Sequence, residues 1–331
     1  MNYLLLSSIF IISIVTISLL IRYGKEIGLV DIPNERSMHT KAIPKGAGIA
    51  FVFAVLLSLF LFDLEYLQTY YFILLSIAIV NIAGVWDDLS NIRPRTKIIF
   101  IFLSALVLYM NDFAIFSLGT YFGYEILLPT WFVFPFTFFA ITGFTNALNL
   151  MDGLDGLASV ISIVMLTTFL AVGFKYNDEL LISLSSFFIV TLLAFLLFNW
   201  NPAKIFMGDS GSLALGMIIS ILTIRSGEYI APVSILFIIA LPLIDTLIVI
   251  IRRFQRKKSL FEADKNHLHH FLHNIKGNTR YTVMILGLMQ VVFSIIGYQL
   301  SHSNEFLSLI LFMIMLYLSF SLFDQRLKRR S

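Results

Sequence analysis

Adjacent carboxylates open the first of four segments whose side chains could do chemistry. Asp87 and Asp88 stand at the end of an apolar run and are followed by Arg93, Arg95 and Lys97. Two close acids can bind a divalent cation, or one of them can act as a base once its pKa is raised. The three basic side chains would attract phosphates beside them. A solvated helix end with membrane-boundary charges explains this segment, taken alone, equally well.

The second segment combines amides and acids at short intervals. Asn146 and Asn149 are three residues apart, which places them on one face of a helix, and Asp152 and Asp155 follow. A glycine after each Asp permits tight turns and a close approach of the backbone to a ligand. Oxygen ligands of this kind suit Mg²⁺, which keeps several waters and shares substrate phosphates. An ordinary turn between two helices is the simpler alternative, and four such groups at this spacing argue against it.

The third segment, Gly-Asp-Ser-Gly-Ser at 208–212, leads directly into an apolar run. Free backbone N–H groups at the start of a helix, together with the positive end of its dipole, favour an anion such as a phosphate. Asp209 lies at the same point and could hold a metal ion that bridges this phosphate. The segment therefore predicts a phosphate and metal site at one helix end.

The fourth segment is a basic run followed by a histidine cluster. Arg253 belongs to the basic run, and His267, His269 and His270 follow it. A zinc site is an alternative at this spacing, but the segment lacks both a thiolate and a His-Glu-x-x-His pattern. The segment therefore favours donors to a diphosphate or a nucleotide. Asp245, in the apolar run before it, either supports this site or caps backbone loosened by a nearby proline.

The composition requires a membrane to hold these segments. Of 331 residues, 58% are hydrophobic and only 13% are charged, about half the charged share of an ordinary globular domain. This balance excludes a soluble enzyme, a disordered chain, a fibre and a disulfide scaffold. With no cysteine, the chain has no disulfide, thiolate metal site or cysteine nucleophile. The composition and the long apolar runs predict an all-α polytopic membrane protein, because barrel strands would alternate over short stretches.

The apolar runs set the expected number of transmembrane helices at about eleven, in one domain over 1–331. The first run is expected to be a retained helix, because it has no basic residues before it, as a signal peptide would. The run boundaries are approximate, and 98–112 and 211–225 are the least regular. The runs are 3–22, 47–62, 70–86, 98–112, 130–147, 157–174, 180–198, 211–225, 230–251, 281–300 and 306–323.

The basic residues predict how the helices are oriented. All 23 Lys and Arg residues except Lys175 and Arg225 fall on one side of the expected helices or at its boundary. Basic residues are enriched on the cytoplasmic side of membrane proteins. The N-terminus is therefore expected outside and the C-terminus in the cytoplasm. All four chemical segments then lie on the cytoplasmic face.

Together the segments resemble the polyprenyl-phosphate N-acetylhexosamine-1-phosphate transferase superfamily, which includes the MraY, WecA, TagO and WbpL types. Asp87-Asp88 looks like its paired-aspartate motif, and the Asn-rich segment at 146–158 looks like its second motif. The segment at 202–216 looks like the third, and His267-Leu-His269-His270 looks like the fourth. The first cytoplasmic loop, from Asp31 through His39 and on to Gly48, is similar to the WecA and WbpL branch.

The resemblance implies a reaction and a set of roles. An undecaprenyl-phosphate oxygen would attack the β-phosphate of a UDP-N-acetylhexosamine and release UMP. Asp209 would be the main Mg²⁺ ligand and Asn149 the second, with Mn²⁺ as an alternative ion. Asp87 would orient or deprotonate the lipid phosphate with Asp88 beside it, and Lys97 would contact phosphate.

The remaining roles follow from the same resemblance. Asn146, Asp152 and Asp155 would shape the nucleotide and metal site. The histidine cluster would contact the diphosphate or the sugar, with the basic run nearby. Asn91 stands where the family's paired-aspartate motif often has a third Asp, so a carboxylate role there is not expected. The histidine motif lacks the Pro-x-His-His-His form of the MraY branch, which favours UDP-GlcNAc as the donor.

The expected partners are undecaprenyl phosphate, a UDP-N-acetylhexosamine and membrane lipid, without nucleic acid. A homodimer is left open. The expected place is the inner, cytoplasmic membrane. Two alternatives remain: an MraY-type transferase with UDP-MurNAc-pentapeptide as donor, and an ion-coupled transporter that uses Asp245 and the loop acids. The transporter is disfavoured because the polar groups crowd one face instead of reaching both.

Overall fold

The computed structural model describes residues 3–33, 42–255 and 267–328, and this part of the chain is a bundle of α-helices with two short β-hairpins. The strands are β1 (Val30–Asp31), β2 (Ile43–Pro44), β3 (Ser117–Tyr121) and β4 (Tyr124–Leu127), and both pairs are antiparallel. The helices are α1 (Tyr3–Tyr23), α2 (Gly48–Phe62), α3 (Leu64–Thr69), α4 (Tyr71–Ser90), α5 (Pro94–Tyr109), α6 (Thr130–Met151), α7 (Leu157–Tyr176), α8 (Glu179–Asn199), α9 (Gly208–Ser226), α10 (Pro232–Ile238), α11 (Ala240–Gln255), α12 (Leu268–Lys276), α13 (Thr279–Gln299) and α14 (Glu305–Lys328).

Helices lie at all eleven apolar runs of the sequence. In the described ranges, seven helices are long and apolar enough to cross a membrane, or up to eight if the bent pair α10–α11 forms one span. The seven are α1, α4, α6, α7, α8, α13 extended to His302, and α14. These helices confirm the predicted class, an all-α polytopic membrane protein. The two hairpins, α3 and α12 were not predicted, because they lie in the polar connections.

The helix α9 is the centre of the bundle, and nearly all of its residues from Ser210 to Leu222 are buried. Its first turn is clamped between α2 and α4. A Cβ at Gly48 would lie 2.1 Å from the Ser210 carbonyl carbon, and a Cβ at Gly84 would lie 2.4 Å from the Ser210 Cα. Only glycine permits this approach. The buried Asn81 amide of α4 then donates to the carbonyl oxygens of Gly48 and Ser210, both at 3.1 Å.

The ninth apolar run, 230–251, is two helices instead of one. The axes of α10 and α11 meet at 88°. Gln290 of α13 satisfies backbone groups at the break: its amide nitrogen donates to the Ile238 oxygen (2.7 Å), and its amide oxygen accepts from Leu241 N–H (3.3 Å). The buried glutamine side chain therefore supplies the hydrogen bonds that the backbone loses where the helix is interrupted.

The described residues of the four chemical segments lie at one end of the bundle, here called the site end. The opposite end has a network of its own. Asp178 accepts hydrogen bonds from Arg225 Nε (2.7 Å) and Tyr229 Oη (2.8 Å). The Thr120 N–H of the second hairpin donates to Glu305 at 2.7 Å. These contacts tie α7, α8 and α9, and the hairpin and α14, together far from the site.

Candidate functional site

The paired aspartates occupy the last turn of α4 and have different surroundings. The α4 helix ends where Asn91 takes a left-handed conformation (φ 48°) and its N–H donates to the Asp87 carbonyl oxygen at 2.8 Å. Asn tolerates this conformation better than most residues. The position that often holds a third Asp in related sequences therefore serves here to terminate the helix.

Asp88 is turned into the protein. Its Oδ1 accepts from the Asp209 N–H (3.0 Å) and its Oδ2 from the Ser210 N–H (3.1 Å). Lys45 Nζ lies 3.7 Å from Oδ1, and only 1% of the Asp88 side chain is exposed. Asp88 forms part of the cavity wall, but both its carboxylate oxygens accept hydrogen bonds from the backbone of α9.

Lys97, in the first turn of α5, joins two other carboxylates. Its ammonium lies 2.9 Å from Asp87 Oδ2 and also forms an ion pair with Asp209 Oδ2. About a quarter of the Lys97 and Asp209 side chains is exposed, against 11% for Asp87. Lys97 thus brings together side chains from α4, α5 and α9. Of these, Asp209 lines the cavity described below, whereas Lys97 and Asp87 are not part of the wall formed by the described residues.

The end of α6 supplies the amides. Asn149 Nδ2 donates to Ser212 Oγ of α9 at 2.8 Å. The other atom of this side-chain amide, Oδ1, can therefore accept a hydrogen bond from a ligand or coordinate a cation. Asn146 lies one turn earlier, is exposed, and is not part of the cavity wall formed by the described residues. The structure therefore brings Asn149 to the acids but leaves Asn146 at the edge of the site.

Asp152 and Asp155 lie in the turn between α6 and α7, and both line the cavity. Burial, and then the carboxylates of Asp209, Asp88 and Asp155, raise the pKa of Asp152 well above its usual range. Asp155 instead holds the loop before α9: its Oδ2 accepts from Asn201 Nδ2 (2.8 Å) and from the Ala203 N–H (3.1 Å). Negative charge therefore exceeds positive charge around Asp152.

The histidines are placed by α12 and by Asp245. Asp245 Oδ2 lies 2.8 Å from His267 Nδ1, and its Oδ1 accepts the Leu268 N–H at 2.7 Å. Of the two readings left open for Asp245, it thus supports the site by fixing the start of α12. His267 is buried in this contact, while His270 lines the cavity together with His273.

His269 lies behind the cavity wall. Its ring is 1% exposed and packs on Gly153, where a Cβ would come within 2.2 Å of Nε2. Burial, followed by the neighbouring His270, lowers the pKa of His269 to about 3, so the ring is neutral. In this structure His269 contacts the turn that carries Asp152, and is not on the cavity surface.

Part of the predicted site lies elsewhere. Arg253 is in the last turn of α11 and is not part of the cavity wall formed by the described residues. Residues 256–258 of the basic run and the first-loop residues at 34–41 lie outside the described residues.

A cavity of about 1000 Å³ lies at the site end, and of the predicted residues its wall contains Asp88, Asn149, Asp152, Asp155, Asp209 and His270. Within residues 3–33, 42–255 and 267–328, no three His, Asp or Glu side chains are grouped closely enough to hold a metal ion alone. Asp209, Asn149 and Asp152 nevertheless line one cavity, and the neighbouring carboxylates of Asp209, Asp88 and Asp155 repel that of Asp152. Mg²⁺ commonly takes one or two protein carboxylates and completes its shell with waters and substrate phosphates. The donor set fits such an ion.

Sequence reasoning missed several residues that build the site. Asn81 was not singled out, although a polar residue inside an apolar run, two turns before the paired acids, is a signal. Asn199 connects two loops: its Oδ1 accepts the Gly156 N–H and its Nδ2 donates to the Ile205 oxygen, both at 2.9 Å. Lys45 and Lys204, which line the cavity, carried no role of their own.

Comparisons with known proteins identify the family of this chain. Residues 70–227 match the model of glycosyl transferase family 4. A protein of Bacillus subtilis (strain 168), named a probable undecaprenyl-phosphate N-acetylglucosaminyl 1-phosphate transferase, is 32% identical over 93% of this chain and 88% of its own. Undecaprenyl-phosphate alpha-N-acetylglucosaminyl 1-phosphate transferases of Haemophilus influenzae (33% identical; 88% and 85% covered) and Yersinia pestis (30%; 99% and 93%) are similarly related.

Proposed function

The chain belongs to glycosyl transferase family 4, and we propose that it transfers N-acetylglucosamine 1-phosphate from UDP-GlcNAc to undecaprenyl phosphate. The products are UMP and undecaprenyl-diphospho-GlcNAc, which starts a cell-surface glycan. The observation that carries the proposal is the cavity at the site end, which Asp88, Asp209 and Asn149 line and beside which Lys97 pairs with Asp87 and Asp209. The names of the relatives support the choice of donor and acceptor.

The reaction is a single displacement at phosphorus. An oxygen of the lipid phosphate bonds to the β-phosphorus of UDP-GlcNAc, and the bond from that phosphorus to the bridging oxygen breaks, so that UMP leaves. A phosphate monoester is mostly ionised near neutral pH, because its second pKa is about 6. Catalysis therefore needs positioning and charge neutralisation more than proton removal.

The side chains divide this work. Asp87 orients the acceptor phosphate through Lys97, which exchanges carboxylate partners for phosphate as substrates bind. Asp209 and the side-chain amide oxygen of Asn149 would hold a Mg²⁺ ion, with Mn²⁺ as the alternative. When bound, the ion neutralises the diphosphate and so favours departure of UMP. His270 lines the cavity as a donor to the diphosphate or the sugar, and Asp155 keeps the loop before α9 in place.

The proposal includes the membrane arrangement. Eleven spans, counting the bent pair as one and including α2, α5 and α9, place the N-terminus outside and the C-terminus in the cytoplasm. The site end then lies at the cytoplasmic face of the inner membrane, where a soluble nucleotide sugar can meet a lipid phosphate. The distribution of Lys and Arg supports this orientation.

The test is product release by the purified, detergent-solubilised chain. With Mg²⁺ and undecaprenyl phosphate, UDP-GlcNAc should yield UMP faster than UDP-GalNAc, UDP-glucose or UDP-MurNAc-pentapeptide. Folded protein that releases UMP from no UDP-N-acetylhexosamine would refute the transferase activity. Preference for UDP-MurNAc-pentapeptide would refute the proposed donor alone.

The metal assignment has a test of its own. Asp209→Asn should lower kcat by at least about 1000-fold, because the variant loses the charge that neutralises the ion and the diphosphate. The protein should still fold, as measured by its thermal unfolding midpoint. Near-normal turnover of Asp209→Asn would contradict the role of Asp209.

A further inference from the structure

The α9 helix brings Asp209 to the cavity, yet nothing in its own N-terminal sequence caps it. The residue before it, Met207, offers no side-chain hydrogen bond to the first turn. The first N–H groups of any helix lack partners within the helix, and leaving them unpaired in a buried place is unfavourable. Ser210, directly after Asp209, is fully buried, so water does not satisfy its N–H group.

Asp88 supplies the missing cap from a different helix. Its two oxygens accept one N–H each, from Asp209 (3.0 Å) and Ser210 (3.1 Å). A carboxylate is suited to this place, since both its oxygens are acceptors and its charge complements the positive end of the helix. An asparagine could accept only one of the two bonds and would turn its amide NH₂ toward the other donor.

The start of α9 is shaped around this contact. Gly208 has φ +73°, and a Cβ on it would lie 2.5 Å from Asp88 Oδ2. The glycine therefore leaves the space through which the carboxylate reaches the backbone. Asn81, from the same helix as Asp88, binds the Ser210 carbonyl oxygen on the other side of the turn (3.1 Å).

We propose that the two neighbouring aspartates have separate tasks, and that Asp88 is a positioning residue which caps α9 and thereby aims Asp209 at the reaction centre. Asp87 is the member that acts toward substrate. Asp88 is the one of the two in the cavity wall and has Lys45 3.7 Å away, but both its oxygens accept backbone N–H groups. The Asp87 side chain is 11% exposed, against 1% for Asp88, and its partner is the Lys97 ammonium. This division of labour rests on the proposed function for its catalytic meaning, but the capping itself does not.

Hydrogen exchange measured by mass spectrometry in detergent, without substrate or metal, tests the capping. Asp88→Asn should speed exchange of the amides at 208–212 by about 10- to 100-fold, the range expected for loss of a hydrogen bond to a charged group. Gly208→Ala should do the same, because its methyl group displaces the carboxylate. Asp87→Asn should leave these amides unchanged, and so should Gly143→Ala, whose Cβ would meet nothing within 4 Å.

Kinetics then test the positioning. Asp88→Asn should lower kcat about 10- to 100-fold and raise the Mg²⁺ concentration for half-maximal rate, as loss of a group that orients a metal ligand does. The KM values of both substrates should stay within about twofold. Asp87→Asn should raise the KM for undecaprenyl phosphate.

The outcomes separate the two proposals. Inactive wild-type protein with faster exchange in Asp88→Asn would refute the transferase and keep the cap. Unchanged exchange at 208–212 in both Asp88→Asn and Gly208→Ala would overturn the capping role, whatever the activity. Faster exchange with unchanged kcat and unchanged Mg²⁺ dependence would overturn the positioning role.

Discussion

At the scale of single residues, the acids of the site repel one another. Asp152 sits near Asp209, Asp88 and Asp155, and burial with this repulsion raises its pKa. The folded protein therefore holds the Asp152 proton more tightly than the unfolded chain does. Stability from this group is present below the ordinary Asp range and is lost as pH rises through the raised pKa.

Asp152→Asn should therefore stabilise the metal-free protein at high pH. In EDTA at pH 8 we expect the variant to unfold at a temperature a few degrees above wild type, corresponding to about 1–2 kcal/mol of relieved repulsion. At pH 4 the difference should shrink, because the wild-type carboxyl is then protonated. A variant less stable than wild type at pH 8 would contradict the repulsion.

At the scale of elements, the short helix α12 depends on a contact from α11. The Asp245 carboxylate contacts the His267 ring through one oxygen and accepts the Leu268 N–H through the other. No side chain within α12 caps its N-terminus. The same helix carries His270 and His273 to the cavity. The position of two histidines at the cavity is thus set by an acid one helix away.

Asp245→Ala should remove the contact that holds the start of α12 against α11. Two buried polar groups lose their partner, which should lower the free energy of unfolding by about 2–4 kcal/mol. The KM for UDP-GlcNAc should rise about tenfold, as the histidines lose their position. Both are measured on purified protein, by thermal unfolding and by UMP release.

A matched control separates this effect from loss of a helix cap in general. Asp63→Ala removes an N-cap bond of 3.1 Å to the Tyr66 N–H of α3, at the opposite end of the bundle. Its stability loss should be smaller, about 1 kcal/mol, and its KM unchanged. An equal rise in KM in both variants would contradict a local role for Asp245.

At the scale of the whole molecule, the two ends of the bundle differ in chemistry. The site end holds the acids, Lys97 and the histidines. The opposite end holds the Asp178–Arg225 pair and the second hairpin, with Tyr124 79% exposed. If the site end is cytoplasmic, these ends must differ in their access to reagents from outside.

The absence of cysteine makes this difference directly measurable. In right-side-out vesicles, a membrane-impermeant maleimide should label Tyr124→Cys at once and Asn274→Cys only after permeabilisation. Both positions are exposed, so burial does not explain a lack of labelling. The reverse pattern would show that the site end faces outward and would refute the proposed orientation.

Much of the fold was predictable because membrane insertion is read from local composition. Every apolar run became helical, the ninth as two helices, since backbone groups in lipid must be satisfied within the protein. The bend at Ile239 was not predictable, because Gln290, which satisfies the broken backbone, lies about fifty residues away. The hairpins were missed because polar connections carry no comparable periodic signal.

The sequence by itself determined which side chains could do the chemistry and that they lie at helix ends, because composition and short spacings are local properties. Only the tertiary structure decided what each one does. Asp87 and Asp88 are neighbours of one type, yet successive helical residues point about 100° apart. Asp87 therefore forms an ion pair with Lys97, and Asp88 accepts hydrogen bonds from the backbone of a helix that begins about 120 residues later in the chain. A carboxylate's role follows from its exposure and its partners, and distant parts of the chain supply both.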